Sequence, residues 1–472
     1  MDPRLAAVAA VLPPGAFTTD RGALEPHLTD WRGQKRGVAH ALARPGSVGE
    51  VEALVRAAIA QGVALVPQGG NTGLVGGSVP EPEPHVPTLL VSTARLNAIE
   101  AVDEAGLSLV AGAGAILADV HAAALAHGLQ FPLSLGARGS ATIGGLCSTN
   151  AGGTQVLRHG TMRQLVLGLE AVLGDGSRLD QLRPLRKDST GYDVKQLLIG
   201  AEGTLGIITA VALKLVPAPR SIGVGWAAVP DLGAALALLG RLRAAVGERV
   251  ESFELVPGDG LALVIAHLPG ARAPLAGGHP WHCLIELADA EPDLPLADRL
   301  EEVLAAAMEA GLVRDATIAR SHAQAAALWH LRESLPEAER QEGPCLKNDV
   351  AVAVADVPAF DQAARQAIAG PYPSARPLVF GHLGDGNLHW NLRPPEGVEA
   401  RDWLAAEGEA ARRLLHDVVR SFAGTISAEH GLGTLKAREY GRLGDPGKLS
   451  AMRSLKAALD PHGIMNPGKL FA

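Results

Sequence analysis

The chain has 472 residues, 47% of them hydrophobic and 19% charged, which is the composition of a globular protein of about three domains. Lys and Arg number 42 against 50 Asp and Glu, and a net charge of -8 argues against a nucleic-acid-binding protein, which would need a basic stripe. No run approaches the ~18 consecutive apolar residues of a membrane span. Three cysteines without a CxxC pair are too few for a disulfide framework and favour a reducing cytoplasm.

Residues 1–217 are predicted to form an α+β domain. The opening stretch predicts an amphipathic helix that stops at Pro13, because Asp2 does not suit the basic start of a signal peptide. Ser47 and Glu50 form a capping box, which predicts a helix that ends near Gly62. Further strands are predicted at 63–66, 88–92, 107–111, 165–173, 178–182 and 207–216, with a helix at 118–127.

A second domain is predicted over residues 218–415, as an α/β cap in which a sheet is backed by helices. Its predicted strands are 222–229, 262–268, 281–288 and 349–354, and its predicted helices are 231–246, 296–310, 321–335 and 358–369. Residues 416–472 are predicted to form a C-terminal helical segment that returns to the first domain, and its helix is expected at 411–422.

Glycine is the informative residue of this composition, with 56 in the chain. Pro67–Gly73 directly follows a predicted strand, and its small residues can turn several backbone N–H groups into one anion-binding concavity. Similar small-residue stretches occupy 132–153 and 188–207. A single such stretch is as often a plain turn, but three in one domain indicate that a large, extended cofactor lies against them.

The sequence GHLGDGNLHWN at 381–391 carries two histidines around a Gly-Asp-Gly turn. If 384–387 is a four-residue hairpin loop, His382 lies opposite His389 and Asn391 shares their face. Two imidazoles at that spacing can share one divalent ion. A bulged strand is an alternative way of bringing the two histidines together.

A third oxygen donor and a base stand side by side in the segment SAEHGLG at 427–433. Glu429 is a hard oxygen ligand, and the pKa of the adjacent His430 can be set by a bound ion. An ordinary acidic loop is the alternative interpretation.

PQGGNTGLVGGSVP, the TIGG and TNAGG stretches and GYDVKQLLIGAEGTLGIIT resemble the FAD-binding domain of the vanillyl-alcohol oxidase type, also called PCMH-type. Over roughly 40–472 the chain resembles the D-2-hydroxyglutarate and D-lactate dehydrogenase branch of that family. The resemblance implies an FAD-binding domain of two subdomains, a cap domain and bound FAD. Asn71 replaces the histidine that often carries a covalent flavin, so non-covalent FAD is expected. The implied FAD-binding residues are Pro67, Gly69, Gly70, Asn71, Thr72, Gly73, Ser134, Ser140, Thr142, Gly144, Gly145, Asn150, Glu202, Ile207 and Asn466.

The resemblance also implies the chemistry of the second half. His382, His389 and Glu429 match the family's metal ligands, and the metal is expected to be zinc, with manganese, iron or cobalt as alternatives. His430 matches the proton-accepting histidine, and the implied substrate-binding residues are His430, Asn391, Arg332 and Lys347. An arginine at a helix end can equally be a solvated residue, but its planar fork suits a carboxylate. Pro336 stands where the 2-hydroxyglutarate enzymes commonly have a hydroxyl residue.

The expected reaction is oxidation of a D-2-hydroxy acid, with D-2-hydroxyglutarate favoured because two cations suit a dicarboxylate. D-lactate and glycolate are the alternatives within the enzyme class. A metal-dependent hydrolase and a non-catalytic flavin sensor are the alternatives outside it. The electron acceptor is expected to be an electron-transferring flavoprotein or a quinone, with oxygen as a third option, and the oligomeric state is left open, a homodimer being one arrangement.

Overall fold

The computed structural model describes residues 1–471 and divides into two compact units. Unit 1 consists of Met1–Gly153, His159–Pro217 and Glu429–Ala472. Unit 2 consists of Thr154–Arg158 and Ala218–Ala428. The C-terminal residues of the chain therefore belong to the same unit as its N-terminal region.

The strands are β1 (Phe17–Thr18), β2 (Ala41–Ala43), β3 (Ala64–Gln68), β4 (Thr88–Ser92), β5 (Ser108–Gly112), β6 (Leu129–Gln130), β7 (Val166–Leu173), β8 (Arg178–Gln181), β9 (Gly206–Lys214), β10 (Val216–Pro217), β11 (Ser221–Val229), β12 (Val250–Pro257), β13 (Trp281–Asp289), β14 (Asp315–Ile318), β15 (Val350–Ala351), β16 (Arg376–His382) and β17 (Asn387–Arg393).

The α-helices are α1 (Pro3–Ala9), α2 (Arg21–Leu24), α3 (Val48–Gln61), α4 (Leu117–Leu125), α5 (Ile143–Thr149), α6 (Val156–His159), α7 (Met162–Leu165), α8 (Lys195–Leu198), α9 (Leu232–Val246), α10 (Gly258–His267), α11 (Leu296–Glu309), α12 (His322–Glu333), α13 (Leu335–Glu342), α14 (Val357–Ala369), α15 (Ala400–Ser421), α16 (Ala437–Leu443) and α17 (Pro446–Leu459). None of the helices in residues 1–471 combines the length and the apolar character needed to cross a bilayer.

Unit 1 is built on two four-stranded sheets. One has the order β1-β2-β4-β3, with β4 parallel to both β2 and β3, and the other is the antiparallel sheet β5-β9-β7-β8. Helix α3 begins as the capping box predicts, since the Ser47 hydroxyl accepts the Glu50 N–H at 3.2 Å. Its buried face, which includes Val51 and Leu54, packs in one core with Leu65 of β3 and Met465 of the C-terminal tail.

Unit 2 is built on a seven-stranded sheet with the order β14-β11-β13-β12-β16-β17-β15, in which all neighbours are antiparallel. One face packs against α10, α12 and α13, whose Val264, Leu331 and Leu335 share a core with Trp226 of β11. The other face is covered by helices that include α14, where Asp361 accepts a hydrogen bond from the Trp390 indole N–H. Both faces are therefore buried, which explains why even the charged residues of the central strands are shielded from water.

One predicted element of unit 2 is wrong, and one strand of this unit was not predicted. Residues 262–268 were expected to form a strand but belong to helix α10, because a short apolar run does not distinguish a buried helix from a buried strand. The neighbouring strand β12 has no counterpart among the predicted elements, although all eight of its residues are buried. Glu251 and Glu254 interrupt its apolar pattern, and that interruption concealed the strand.

Helix α15 is longer than the predicted helix at 411–422, since it begins at Ala400. It lies wholly in unit 2, and the division between the units falls after Ala428 rather than at residue 415. Earlier in the chain, Pro217 belongs to unit 1 and Ala218 to unit 2.

Candidate active site

In unit 1 the first two glycine-rich stretches pack directly on each other. A Cβ on Gly70 would lie 1.9 Å from the Ser140 carbonyl oxygen, and one on Gly69 would lie 2.2 Å from the Thr142 hydroxyl oxygen. Gly70 cannot accept a side chain, because the obstacle there is backbone, and a side chain at Gly69 would require the Thr142 hydroxyl to move. The loop after β3 and the segment before α5 therefore form one surface of small residues, as their grouping in the sequence predicts.

Backbone conformation singles out four of the predicted cofactor residues. Among the described residues, eight other than glycine have a positive φ, and these include Asn71, Asn150, Glu202 and Asn466 at 42° to 51°. Such conformations are uncommon for residues with a side chain and tend to occur where a site over-determines the backbone. Half of the left-handed non-glycine residues thus coincide with the predicted cofactor residues.

The side chains of Asn71 and Asn150 hold these loops in shape. Asn71 donates to the Thr29 carbonyl and accepts from the Ser78 hydroxyl, both at 2.9 Å. Asn150 accepts from the Thr161 hydroxyl at 2.9 Å and from the Arg163 N–H at 3.0 Å.

Glu202 ties the C-terminal tail to the third glycine-rich stretch. Its buried carboxylate accepts the Leu432 N–H at 2.7 Å and the Gly433 N–H at 2.9 Å. Burial raises the pKa of Glu202 above its ordinary value, and the two N–H groups partly offset that rise. The Asn466 amide donates to the Glu202 carbonyl at 2.7 Å and to the Gly77 carbonyl at 2.9 Å. Glu202 and Asn466 therefore act on the protein's own backbone.

The remaining predicted cofactor residues lie in the same loops of unit 1 or beside them. Gly153 packs on the Ser134 carbonyl, where a Cβ would lie 2.0 Å away, and a Cβ on Gly144 would lie 2.6 Å from the Ala113 Cβ. Ile207 of β9 is 1% exposed and belongs to the apolar core. Pro67 of β3, Gly145 of α5, and Thr72 and Gly73 of the loop after β3 are half-buried.

These loops fit FAD on two observations. The glycine surface allows a ligand to approach the backbone closely, which a diphosphate needs. The Thr142 hydroxyl is buried beside Gly69 with no hydrogen-bond partner among the described residues. A buried hydroxyl without a partner costs free energy unless a ligand or water supplies that partner.

In unit 2, β16 and β17 form the predicted hairpin, but its register differs from the predicted one. His382 pairs with Asn387 and His389 pairs with Phe380, so the two histidines are diagonal rather than directly opposite. The loop is Leu383–Gly386, one residue earlier than expected, and a Cβ on Gly386 would lie 2.1 Å from the Val352 carbonyl oxygen. The histidines still share a face, and their ring centroids are 5.8 Å apart.

Glu254 of β12 joins His382 to Arg332. It pairs directly with His382 across the strands, and its Oε1 accepts the His382 Nδ1–H at 2.8 Å. Its Oε2 accepts from Arg332 Nε at 2.9 Å and from Nη2 at 2.8 Å. Arg332 lies in the last turn of helix α12 and is 5% exposed, so it is buried and not a solvated residue of a helix end.

The charge of Glu254 is stabilised although the residue is 1% exposed. Burial by itself raises the pKa of its carboxyl group, but His382 and the Arg332 guanidinium together hold the pKa below its ordinary value. A carboxylate in this position is therefore ionised at neutral pH.

Glu339 of helix α13, like Glu254, is a buried glutamate that joins several polar side chains. Its Oε2 accepts from the Lys347 ammonium and, at 2.9 Å, from the Asn391 amide. Its Oε1 accepts the Cys345 thiol at 3.3 Å. Burial and the charge of Glu339 raise the pKa of Cys345 to about 12, so this thiol is not a nucleophile. Glu339 itself is 1% exposed.

Phe380 and Pro336 complete this part of unit 2. Phe380 contacts both His389 and Arg332. The centroid of its ring is 5.0 Å from that of the His389 ring and 5.4 Å from the guanidinium carbon of Arg332. Pro336 stands in the first turn of α13, where its missing N–H has no cost, and it is exposed. In the same helix Leu335, Ala338 and Glu339 are buried, and Glu339 is the charged residue among them.

Glu429 and His430 belong to unit 1 and immediately precede the turn that Glu202 holds. Gly431 in that turn has φ of 80°, and a Cβ there would lie 2.7 Å from Glu202 Oε1. The backbone of this segment is therefore held in a tight turn.

Comparison with known proteins identifies the family. Residues 39–180 match the model of an FAD binding domain, and residues 218–470 match that of the FAD linked oxidases, C-terminal domain. A D-2-hydroxyglutarate dehydrogenase of Xanthomonas citri is 39% identical over 100% of this chain and 97% of its own length. The mitochondrial D-2-hydroxyglutarate dehydrogenase of Bos taurus is 38% identical over 99% of this chain and 83% of its own length. The chain belongs to this family of FAD-linked oxidases.

Solved structures show the same fold at much lower identity. Two structures of alkyldihydroxyacetonephosphate synthase superpose with TM-scores of 0.71 and 0.72 at 17% and 18% identity, covering 98% and 99% of this chain and 84% and 86% of theirs. The α+β fold of the vanillyl-alcohol oxidase type is thereby confirmed. Membership of the FAD-linked oxidases makes the chain an FAD-dependent oxidoreductase, and the hydrolase and sensor alternatives no longer apply.

Sequence reasoning missed the two buried glutamates of this oxidase. Glu254 lies on the strand that was not predicted, and its partners His382 and Arg332 are 128 and 78 residues away in the chain. Glu339 lies in a charged helical segment, PEAERQE, where an acidic residue normally faces solvent. The one available signal was the stretch Val250–Pro257, whose Val, Phe and Leu residues suit a strand.

Proposed function

We propose that this oxidase converts D-2-hydroxyglutarate to 2-oxoglutarate. The observation that carries the proposal is that unit 2 holds two cations, the buried Arg332 and the half-buried Lys347, and pairs each with its own buried glutamate. A substrate with two carboxylates requires two fixed cations, whereas a monocarboxylate requires one. The relatives named D-2-hydroxyglutarate dehydrogenase support the same assignment.

His382, His389 and Glu429 are the proposed ligands of a divalent metal. The diagonal histidine pair of the hairpin supplies two imidazoles, and Glu429 supplies a hard oxygen from its fixed turn. This donor set suits zinc and also accepts manganese, iron or cobalt. Such an ion, when bound, lowers the pKa of a hydroxyl group that it contacts.

His430 is the proposed base. It takes the proton of the 2-hydroxyl group, and the hydrogen on C2 leaves as a hydride together with the electron pair of its bond. FAD supplies the acceptor for that hydride at flavin N5. Arg332 and Lys347 hold the carboxylates, and Asn391 is a further substrate contact fixed by Glu339. Positioning of this kind brings reacting atoms within ~3–3.5 Å of each other.

FAD is proposed to bind in unit 1 without a covalent link. Gly69 to Gly73 would hold its diphosphate, and Thr142, whose hydroxyl has no protein partner, would contact the cofactor. We expect denatured protein to release the flavin into the supernatant. The electron acceptor proposed is an electron-transferring flavoprotein or a quinone.

Anaerobic titration of the purified, oxidised protein tests the substrate. D-2-hydroxyglutarate should bleach the flavin absorbance rapidly, and D-lactate should bleach it slowly or not at all. D-lactate is the second candidate because Pro336 stands where the resemblance to the 2-hydroxyglutarate enzymes implies a hydroxyl residue. Bleaching by D-lactate alone would overturn the dicarboxylate assignment and keep the chemistry. The variant Glu337→Gln, which changes an exposed residue of the same helix α13, should titrate like the unchanged protein and serves as the control.

A further inference from the structure

We propose that Glu254 is a positioning residue of the metal site, which presents His382 to the ion through Nε2 and couples that histidine to the substrate-binding Arg332. The inference rests on the proposed function, since it requires His382 to be a metal ligand. It goes beyond that function because Glu254 touches neither the ion nor the substrate.

The tautomer of His382 follows from the acceptor that it faces. Glu254 Oε1 lies 2.8 Å from His382 Nδ1 and Oε2 accepts from Arg332, so a neutral imidazole that donates to this carboxylate carries its proton on Nδ1. A metal ion can then be bound only through the lone pair of Nε2. Outer carboxylates of this kind orient the imidazole and raise its basicity as a ligand.

The strand register makes this orientation a property of the fold. Glu254 and His382 pair directly across β12 and β16, where opposed Cβ atoms are about 4.5–5.5 Å apart. The carboxylate is 1% exposed and His382 is 8% exposed, so water does not compete for their hydrogen bond. The ring of His382 is thereby fixed before any metal arrives.

The second oxygen of Glu254 extends the arrangement to the substrate side. Arg332 donates Nε and Nη2 to Oε2, and Nη1 is not part of this pairing. The permanent charge of the guanidinium compensates the buried carboxylate, which would otherwise be costly. The Glu254 carboxylate thus fixes both the proposed metal ligand His382 and the proposed substrate-binding cation Arg332. Its loss should therefore weaken the binding of metal and of substrate together.

Glu339 provides a matched comparison in the same unit. It is as deeply buried as Glu254 and also holds a cation, but its other partners are Asn391 and Cys345 and not a proposed metal ligand. Replacing either glutamate with glutamine removes one buried charge. Only the change at Glu254 should alter the affinity for a metal ion.

The test is the Zn²⁺ affinity of the metal-stripped, FAD-loaded protein, measured by competition with a fluorescent zinc chelator. Glu254→Gln should weaken Zn²⁺ binding about 10–100-fold, the usual cost of losing an outer-sphere partner. If the NH2 group of the glutamine faces His382 Nδ1, the imidazole proton must move to Nε2, the nitrogen proposed to bind the metal. If the NH2 group faces Arg332 instead, it is repelled by the guanidinium. Glu339→Gln should stay within about twofold of the unchanged protein. The flavin spectrum and the thermal unfolding midpoint report whether each variant is folded.

Each result separates the inference from the function on which it rests. Unchanged Zn²⁺ affinity in folded Glu254→Gln, with His382→Ala unable to bind, would overturn the role of Glu254 and keep the metal site. Unchanged affinity in His382→Ala would instead overturn the metal site itself. If Glu254→Gln does not fold, Glu254→Asp decides: its shorter carboxylate should lose part of the affinity, and full affinity would refute the proposal.

Discussion

The candidate binding residues of the two units are arranged in opposite ways. In unit 1 the site is backbone: glycines such as Gly69 and Gly70 pack so closely on the neighbouring segment that no side chain fits. In unit 2 the site is charge: Arg332 and Lys347 are each held by a buried glutamate. The two constructions suit their ligands, because a diphosphate needs N–H groups and close approach, whereas a carboxylate needs a fixed cation.

This difference determines how each unit responds to substitution. Unit 1 should be intolerant of added volume, since a Cβ would collide with a carbonyl oxygen that cannot move. Unit 2 should keep its fold after an isosteric substitution such as glutamate to glutamine. Its binding of ligands should nevertheless change when a single charge is lost, because each buried carboxylate accepts hydrogen bonds from two or more partners. Substitutions that add side-chain volume are therefore the informative ones in unit 1, and substitutions that remove a charge are the informative ones in unit 2.

The largest effect is expected for Gly70→Ala. The new Cβ would lie 1.9 Å from the Ser140 carbonyl oxygen, so one of the two cofactor loops must be displaced. We expect the purified variant to contain less than about a tenth of the FAD of the unchanged protein, as measured by the ratio of flavin to protein absorbance. Gly49→Ala, which adds a methyl group at an exposed position of α3 with its nearest contact at 4.0 Å, should retain full FAD. Equal FAD content in both variants would refute the backbone account.

Next in size is His430→Gln, which removes the proposed base while its turn is still held by Glu202. Flavin reduction by D-2-hydroxyglutarate, followed anaerobically by stopped flow, should slow about 100-fold or more, the usual contribution of a general base. The FAD content should not change. His462→Gln, at an exposed position in the tail, is the control. Normal reduction in His430→Gln would refute the assignment of the base.

A smaller effect is expected for Glu339→Gln, which keeps the acceptor for Lys347 and Asn391 but removes the negative charge. The Lys347 ammonium is then neutralised less by the protein and attracts a substrate carboxylate more strongly. Because Lys347 is 28% exposed, solvent limits the gain, and KM for D-2-hydroxyglutarate should fall about threefold to tenfold. Glu337→Gln, exposed in the same helix, should leave KM unchanged. A rise in KM would show that Glu339 mainly holds Lys347 in place.

The smallest effect concerns stability and pH. Burial raises the pKa of Glu286 in β13 to about 7, and the Glu251 charge adds to that rise, whereas the Trp329 indole N–H opposes it. Between pH 4.5 and about 7 the unfolded chain has lost a proton that the folded protein keeps, so Glu286 makes the free energy of unfolding fall as pH rises.

Glu286→Gln tests this sign. The difference in unfolding free energy between the variant and the unchanged protein should shift by about 2 kcal/mol in favour of the variant from pH 5 to pH 8. Thermal unfolding midpoints at both pH values measure that shift. The exposed Glu309→Gln should show no such dependence. A shift of the opposite sign would show that Glu286 is ionised in the folded protein.

Much of unit 1 could be predicted because its signals are local. The capping box at Ser47, strand β4 at 88–92 and the glycine loop after β3 each depend on residues close together in the chain. The same holds for the hairpin around Gly-Asp-Gly, where the turn residues and the alternation of apolar residues are adjacent. Local patterns also gave the family, since long motifs cover both halves of the chain.

Unit 2 was predicted less well where charge interrupts the pattern. Strand β12 contains Glu251 and Glu254, and both are buried because partners elsewhere in unit 2 compensate them. The apolar run at 262–268 carries no such interruption and was taken as the strand in its place. Periodicity alone had no means of distinguishing the two segments, because burial of an acidic residue depends on what faces it.

The sequence by itself determined the cofactor class, the hairpin with its two histidines and the residues expected to bind metal and substrate. Tertiary structure decided the register of that hairpin and the partners of the cations. Register depends on how β17 packs between β16 and β15, and the pairings of Glu254 join residues 78 and 128 positions apart. Contacts at that separation leave no pattern in the local sequence, because the chain brings them together only when the sheet forms.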